Sequence, residues 1–373
     1  MQFRAAILEA PGQSLVIDTV ETGPLRPQDV LVRIGAAGIC HTDLEVIAGQ
    51  LVYPMPIVLG HEAAGTIVDV GDGTSRSRIG ERVVLSWNPH CGHCFYCDAG
   101  QPILCETYTR LGPKAVQLDG CTRLHRKGAP VQTMFYISAF AEYCIVSAQC
   151  AIPGPSEMPL DRACLLGCSV LTGVGAAIRI ANLRCGETAM VIGCGAVGLA
   201  AIQGARLAGA SRIIAIDLDD AKLAIASALG ASHTVNASRE DPVVAVKAIT
   251  FGRGADCVLE SAGNEPAFRI SAEACRAGGL IVWLGKVGID QDVAFRWGSL
   301  TGEKRIIRSS YGGAQTAQDF PFPARLYLEG KLKLDELITR RIALEQIDEG
   351  FDDLRMGRAI RTVIVFDGLG DAP

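Results

Sequence analysis

Met190-Val191-Ile192-Gly193-Cys194-Gly195-Ala196-Val197-Gly198 decides how the middle of this chain folds. An apolar strand-like run leads into G-x-G-x-x-G, and an Ala-rich helical stretch, Val197 to Leu207, follows. In that context the first glycine makes the tight turn and the second lets a pyrophosphate approach the backbone. The third lets helix and strand pack closely. The helix start offers free N–H groups and the positive end of its dipole to the phosphates. The next apolar run, Ile213 to Ile216, closes on Asp217, about 20 residues beyond Gly198, where an acid bonds the adenosine ribose. A carboxylate there accepts from the ribose hydroxyls and repels a 2′-phosphate, which favours NAD over NADP. A βαβ unit without ligand, its Asp a simple cap, is the bland alternative.

Outward from this turn, apolar runs alternate with Ala-rich stretches from about Ala163 to Trp283, which predicts βαβ units and a parallel sheet. The first 150 or so residues differ. Phe3 to Leu8, Leu15 to Val20 and Val30 to Ile34 are short β runs parted by Pro and Gly, and Thr362 to Phe366 is a last strand-like run. A length of 373 residues suits about two domains with real cores. With 49% hydrophobic and 20% charged residues the chain is not a disordered or fibrous protein. Net charge is −5 and no stretch is strongly basic, so no nucleic-acid partner is expected. The longest nearly apolar run, Ala189 to Ile202, is shorter than the ~18 residues of a membrane span, so no membrane partner is expected. Met1-Gln2-Phe3-Arg4 carries no apolar signal core, and the expected location is the cytoplasm.

In a reducing cytoplasm the 14 cysteines read as metal-binding or catalytic rather than paired. Cys91, Cys94, Cys97 and Cys105 give C-x2-C-x2-C-x7-C, which suits a closed tetrahedral zinc site of structural type. Iron–sulfur ligation is the rival use of such spacing. His93 sits inside the cluster and reads as a surface histidine. A second set, Cys40, His61, Glu62 and Cys168, is scattered, and spacing alone does not unite it. A lone buried Cys is usually a small core hydrophobe. The surroundings are more telling: Gly60-His61-Glu62-Ala63-Ala64-Gly65 with Gly71 fits G-H-E-x2-G-x5-G, and Cys40 stands in Gly38-Ile39-Cys40-His41-Thr42-Asp43.

At these residues the chain resembles the zinc-dependent medium-chain alcohol dehydrogenases of the liver-type, two-zinc branch. The likeness runs almost end to end, through the four-Cys lobe, Cys164-Leu165-Leu166-Gly167-Cys168 with Thr172-Gly173, the glycine turn, and Gly357-Arg358-Ala359-Ile360-Arg361. It implies an α/β protein. A GroES-like β-rich catalytic domain, residues 1–169 and 311–373, would surround a Rossmann doubly wound parallel-sheet domain, residues 170–310. It implies two zincs per chain, NAD, and a small-molecule alcohol or aldehyde as substrate. Cys40, His61 and Cys168 would hold a catalytic zinc with one position open, and Glu62 would sit behind it as an occasional exchange ligand. Asp43 would bond the far nitrogen of His61. Thr42 would start a proton relay from the alcohol. His41 and Arg361 would contact the pyrophosphate, and Lys222 would stand beside Asp217 at the ribose.

The resemblance also places Leu51, Trp87, Met134, Phe135 and Ser310 near the substrate, a mostly apolar and aromatic set suiting a hydrophobic alcohol. Simple core packing is the alternative for Met134 and Phe135. Lys286, where the family usually has an aliphatic residue, is either solvent-exposed or turned to a polar substrate tail. The family's relay histidine is replaced by Glu45, whose carboxylate would be the terminal base; a solvated helix residue is the equal alternative. Leu51 argues against the glutathione-dependent formaldehyde branch, whose pocket mouth needs anion-binding groups, while Arg110 argues for it. A non-catalytic NAD-binding protein is the reading from another class. A homo-oligomer, dimer or tetramer, is expected.

Overall fold

A computed structural model describes residues 1–366, the side chain of Thr316 excepted. The chain divides into two compact units. One is Met1–Cys168 together with the chain from Gln315 onward; the other is Ser169–Ala314. The second junction therefore falls at Ala314 and not at the expected residue 310. The reason is local: Gly312, at φ +59°, lies so close to the helix Leu171–Gly175 that a Cβ there would stand 2.6 Å from Leu171 O. Arg179 Nε also donates to Gly312 O at 3.2 Å, which ties the Tyr311–Gly313 turn to the middle unit. The last expected segment runs to 373, and residues 367–373 of it lie outside the described residues.

The middle unit is built on an all-parallel sheet. Its six strands lie in the order His233–Asn236, Arg212–Asp217, Thr188–Ile192, Ala255–Glu260, Cys275–Trp283, Arg305–Arg308. All five residues of Thr188–Ile192 are buried, as a strand covered on both faces requires. Polar residues start the crossover helices. Asp219 accepts from Ala221 N–H, Asp241 from Val243 and Val244 N–H, and Asn264 from Ala267 N–H. The order reverses beside Thr188–Ile192, so a crevice forms at the carboxyl ends of that strand and of Ala255–Glu260. At one edge, every residue of Arg305–Arg308 is exposed, including Ile306 and Ile307, and Trp297 nearby in sequence is 82% exposed.

The other unit pairs a small closed barrel with an open sheet. The barrel strands are Gln2–Leu8, Val16–Thr22, Leu124–Arg126, Ala129–Thr133 and Ile57–Val58. In the open sheet Asp29–Gly38 pairs with Glu62–Val70, Tyr143–Ser147 and, from the far end of the chain, Arg361–Val365. That last ladder, Val363 opposite Gly38, is why both chain ends form one unit. Ala6, Val32, Ile34, Ile67, Phe140 and Phe351 are among the side chains of its core.

One expectation fails. The helical run Leu160–Ile180 is long and apolar enough to cross a membrane, although no such run was expected. Most of it is buried within the protein, and glycines let its turns lie on neighbouring backbone, as a core helix does. A Cβ at Gly167 would stand 2.9 Å from Leu85 O, and one at Gly173 would stand 2.3 Å from Val197 O.

Candidate active site

The sheet register sets Gly38 opposite Glu62. The strand Asp29–Gly38 thus leaves towards Cys40 beside the point where Gly60-His61 enters the next strand. Cys40 is the N-cap of the helix His41–Ile47. Asp43, in that helix's first turn and fully buried, binds both sides. Its Oδ2 accepts from Cys40 N–H at 3.2 Å, and its Oδ1 accepts from Gly60 N–H at 3.0 Å and lies 3.2 Å from His61 Nδ1. The close approach at Gly167 brings Cys168 in, its Sγ 3.4 Å from His61 Nε2. The donor atoms of Cys40, His61 and Cys168 all lie within 4.8 Å of one another.

Charge has gathered here. A hydrogen bond from Cys168, then the charges of His61 and Arg361, hold the Cys40 thiol well below its ordinary range. The same hydrogen bond, with burial, pushes Cys168 well above it. Burial opposes charge on His61, yet Asp43 and Cys40 outweigh it and hold the imidazole up at about 10. Two thiols, Cys168 half-buried, with a buried imidazole whose far nitrogen faces a carboxylate are the donor chemistry that takes a zinc ion with one position left open. Glu62 is not part of this cluster. Its Oε1 lies 3.2 Å from Arg361 Nε, both side chains are buried, and Arg361 also donates to Ile39 O. Arg361, expected at the pyrophosphate, is here the counter-charge of Glu62 behind the ligand set.

The second cluster is local in sequence and in space. The thiols of Cys91, Cys94, Cys97 and Cys105 also lie within 4.8 Å of one another. The backbone N–H of His93 is the main cause that draws Cys91 down to about 6. His93 itself is exposed, its Nδ1 2.8 Å from Cys91 O. Four such thiols close a tetrahedral site and leave no position for substrate.

Residues 26–156 match the alcohol dehydrogenase GroES-like domain and residues 196–325 match the zinc-binding dehydrogenase family. The chain is 36% identical over 369 residues to the NDMA-dependent alcohol dehydrogenase of Amycolatopsis methanolica, covering 98% of this chain and 99% of that one. It belongs to the zinc-dependent medium-chain alcohol dehydrogenases. An S-(hydroxymethyl)glutathione dehydrogenase of Escherichia coli is 33% identical over 98% of this dehydrogenase and 100% of its own length. The crystal structure of benzyl alcohol dehydrogenase from Acinetobacter calcoaceticus superposes with a TM-score of 0.92 at 30% identity, covering 98% and 99% of the two chains.

In the middle unit of this dehydrogenase the glycine turn fits a nicotinamide cofactor. Gly193 takes φ +87°, and a Cβ on Gly198 would stand 1.8 Å from Gly193 O, so the turn closes only on glycine. Gly195, the N-cap of the helix Ala196–Leu207, is exposed and has nothing within 4 Å of a would-be Cβ, which leaves its backbone open to a pyrophosphate. Asp217 is joined to this turn: Oδ2 accepts from Cys194 N–H at 2.6 Å, Oδ1 from Leu218 and Asp219 N–H. Lys222 is half-buried in the helix Asp220–Leu229 that follows. Lys286 is half-buried and Ser310 is exposed in the same unit. His41, exposed, and Thr42 and Glu45, half-buried, share the helix His41–Ile47 in the other unit.

Glu260 went unnoticed in the sequence. It ends the strand Ala255–Glu260 at the crevice, fully buried. Gly263 N–H donates to Oε1 at 2.7 Å, and Oε2 has no hydrogen-bond partner among the described residues. Burial pushes this acid up to about 7, against the pull of the Gly263 and Ala262 N–H groups and the charge of Arg308. Between the ordinary carboxyl range and 7 the folded protein holds a proton that the unfolded chain has released. Stability is therefore lost as pH rises through that window, by on the order of 3 kcal/mol. Glu260→Gln cannot ionise, so its melting temperature relative to wild type should climb from pH 5 to pH 8. A difference that stays constant with pH would show that Glu260 is not the group responsible.

Among the residues expected near a substrate, Phe135 stands out. Its half-buried ring lies edge-on to His61, with centroids 5.4 Å apart at 69°. Trp87 is 5.4 Å away and Tyr53 6.2 Å. Leu51, like Trp87, packs half-buried on the same core. Met134 corrects the expectation: it is fully buried in the core and presents no surface to a substrate, because the backbone turns at Phe135. Tyr53 and Tyr108 complete the aromatic wall, Tyr108 6.3 Å from Trp87. Tyr53 lies two residues beyond Leu51, and that proximity was the one sequence signal for it.

Proposed function

We propose that this dehydrogenase binds two zinc ions per chain, prefers NAD to NADP, and oxidises bulky hydrophobic primary alcohols, aromatic ones foremost, to their aldehydes. The observation that carries the substrate reading is the wall of Phe135, Trp87 and Tyr53 beside His61. At roughly 25 cal/mol per Å² of buried apolar area, a substrate ring gains a few kcal/mol over a methyl group. The benzyl alcohol dehydrogenase relative supports the same reading. When bound, zinc in the Cys40, His61 and Cys168 set supplies a Lewis acid that lowers the pKa of an oxygen acid, and NAD supplies the hydride acceptor. The chain's own residues do the rest. Asp43 fixes the ring of His61 with Nε2 on the Cys168 side. Thr42, two residues from Cys40, takes the proton of the alcohol, and Glu45, one turn along the same helix face, is the terminal base of that relay. Asp217 receives the ribose hydroxyls, and its neighbour Leu218 offers a 2′-phosphate no positive charge.

The test is kcat/KM of purified enzyme for ethanol, benzyl alcohol, a terpenoid alcohol and S-(hydroxymethyl)glutathione, each with NAD and with NADP. Benzyl alcohol with NAD should exceed ethanol with NAD by about tenfold or more, as a gain beyond 1.4 kcal/mol requires. Equal values for benzyl alcohol and ethanol would overturn the pocket reading, and a higher value with NADP the cofactor reading. The hydroxymethylglutathione branch would emerge as the preferred fourth substrate; apolar Leu51 argues against it. The bare edge strand Arg305–Arg308, with exposed Trp297, supports a homo-oligomer, which a native mass equal to one chain would remove.

A further inference from the structure

The segment that presents Phe135 is held in a backbone conformation its residues disfavour. Phe135 (φ 46°, ψ 38°), Tyr136 (φ 63°) and Ser138 (φ 60°) are all left-handed, and none is glycine. In that region the Cβ crowds the following carbonyl, so such residues persist only where the surroundings over-determine them. Here they do. Ser138 Oγ donates to Val58 O at 2.7 Å and accepts from Met134 N–H at 3.0 Å. Ala139 N–H donates to Gly60 O and Phe140 N–H to Leu59 O, which lays the turn along the residues leading into His61. Tyr136 Oη donates to Tyr108 O at 2.9 Å. Under the turn lies Gln117, a buried amide whose Nε2 donates to Tyr136 O and to Ile145 O, both at 3.2 Å. That one group joins the strained turn to the strand Tyr143–Ser147 of the open sheet.

The result of the strain is geometric. Met134 and Tyr136 on either side are buried, and Phe135 alone is left half-exposed with its ring against the ligand His61. We infer that Gln117 is a positioning residue for substrate choice: through Tyr136 O it holds the left-handed turn that fixes the Phe135 ring beside the reacting centre. Gln117 acts on the substrate only through that ring. Without its two N–H donors, the turn relaxes, the ring leaves its place, and the wall that favours an aromatic alcohol is lost, while the ligands Cys40, His61 and Cys168 keep their supports. The inference rests on the aromatic-alcohol reading above.

The experiment is a double-mutant cycle of Gln117→Leu and Phe135→Ala in the full-length holoenzyme, read as kcat/KM for benzyl alcohol and for ethanol. Gln117→Leu should lower the benzyl-to-ethanol ratio about fivefold or more, mostly through KM for benzyl alcohol, with kcat for ethanol within about twofold of wild type. Phe135→Ala should lower the ratio at least as far, and adding Gln117→Leu to it should change the ratio no further. Additive losses, or an equal loss on both alcohols, would overturn the inference and leave Gln117 a structural residue only. If Gln117→Leu does not fold, Ser138→Ala, which cuts the clamp to Val58 O, takes its place in the cycle with the same expected and overturning results. A wild-type enzyme without aromatic preference would sink the substrate reading alone. The coupling of Gln117 to Phe135 would then be read on the best alcohol the enzyme takes, its absence there counting against the positioning role.

Discussion

Cys40→Ala should leave a folded protein that binds NADH and no longer oxidises alcohols, with kcat/KM down by at least about 10³-fold. A metal acting as Lewis acid contributes several kcal/mol, and each 1.36 kcal/mol is a factor of ten in rate. With Cys40 gone, His61 and Cys168 remain, too few donors to hold the ion firmly, so metal analysis should find one zinc per chain in place of two. The glycine turn and Asp217 lie in the other compact unit, which is why cofactor binding should survive. Activity retained within tenfold would place the chemistry elsewhere. A wild-type protein inactive on every alcohol but competent to bind NADH would instead favour the purely binding alternative.

Cys97→Ala should fail differently, in stability before chemistry. The stretch from Cys91 to Leu111 has only the four-residue helix Phe95–Asp98, the turn Pro102–Leu104 and the helix Glu106–Leu111. Phe95 is 72% exposed and Leu104 48% exposed, so this lobe has almost no apolar core of its own. An ion bound by four thiolates would take the place of that core. Apparent binding energies of structural zinc reach about 10–16 kcal/mol in small peptides, against a net stability of about 5–15 kcal/mol for a whole domain. Loss of even several kcal/mol should lower the melting temperature by about 10 °C or more and open residues 91–111 to proteolysis. An unchanged melting temperature and digestion pattern would rule out a structural ion there. A visible absorption band of iron in the wild-type protein would assign the four cysteines to iron–sulfur ligation.

What could be read in the sequence, and what could not, follows from how far apart the decisive partners lie. The glycine turn, its strand and Asp217 sit within 30 residues, and period and spacing spell them out. The four-cysteine lobe is local too. Cys40, His61 and Cys168 were legible only through family resemblance. Strand register and the close approach at Gly167 unite them, and neither leaves a mark in residue spacing. The strand Ile338–Ile342 was hidden by Arg340 and Arg341, which face ion pairs with Asp353 and Asp161 and break the apolar pattern. The helical run Leu160–Ile180 was masked by Gly167, Gly173 and Gly175 and by its two π-helical stretches, Leu166–Val170 and Ala176–Ile180. Gln117 and Glu260 were missed for a shared reason: a buried polar residue looks like a surface one until its partners are known.

Asp43 carries a dynamic consequence. Its two oxygens couple the first turn of the helix His41–Ile47 to the Gly60-His61 turn, so these parts cannot fluctuate independently. Fraying of that helix would release His61 in the same event, since the group that leaves the Cys40 amide also leaves the imidazole. In relaxation-dispersion measurements, the Cys40 amide, the Gly60 amide and the His61 ring should therefore exchange at a single rate. That rate, rather than the flexibility of either segment alone, would set how often the ligand set comes apart.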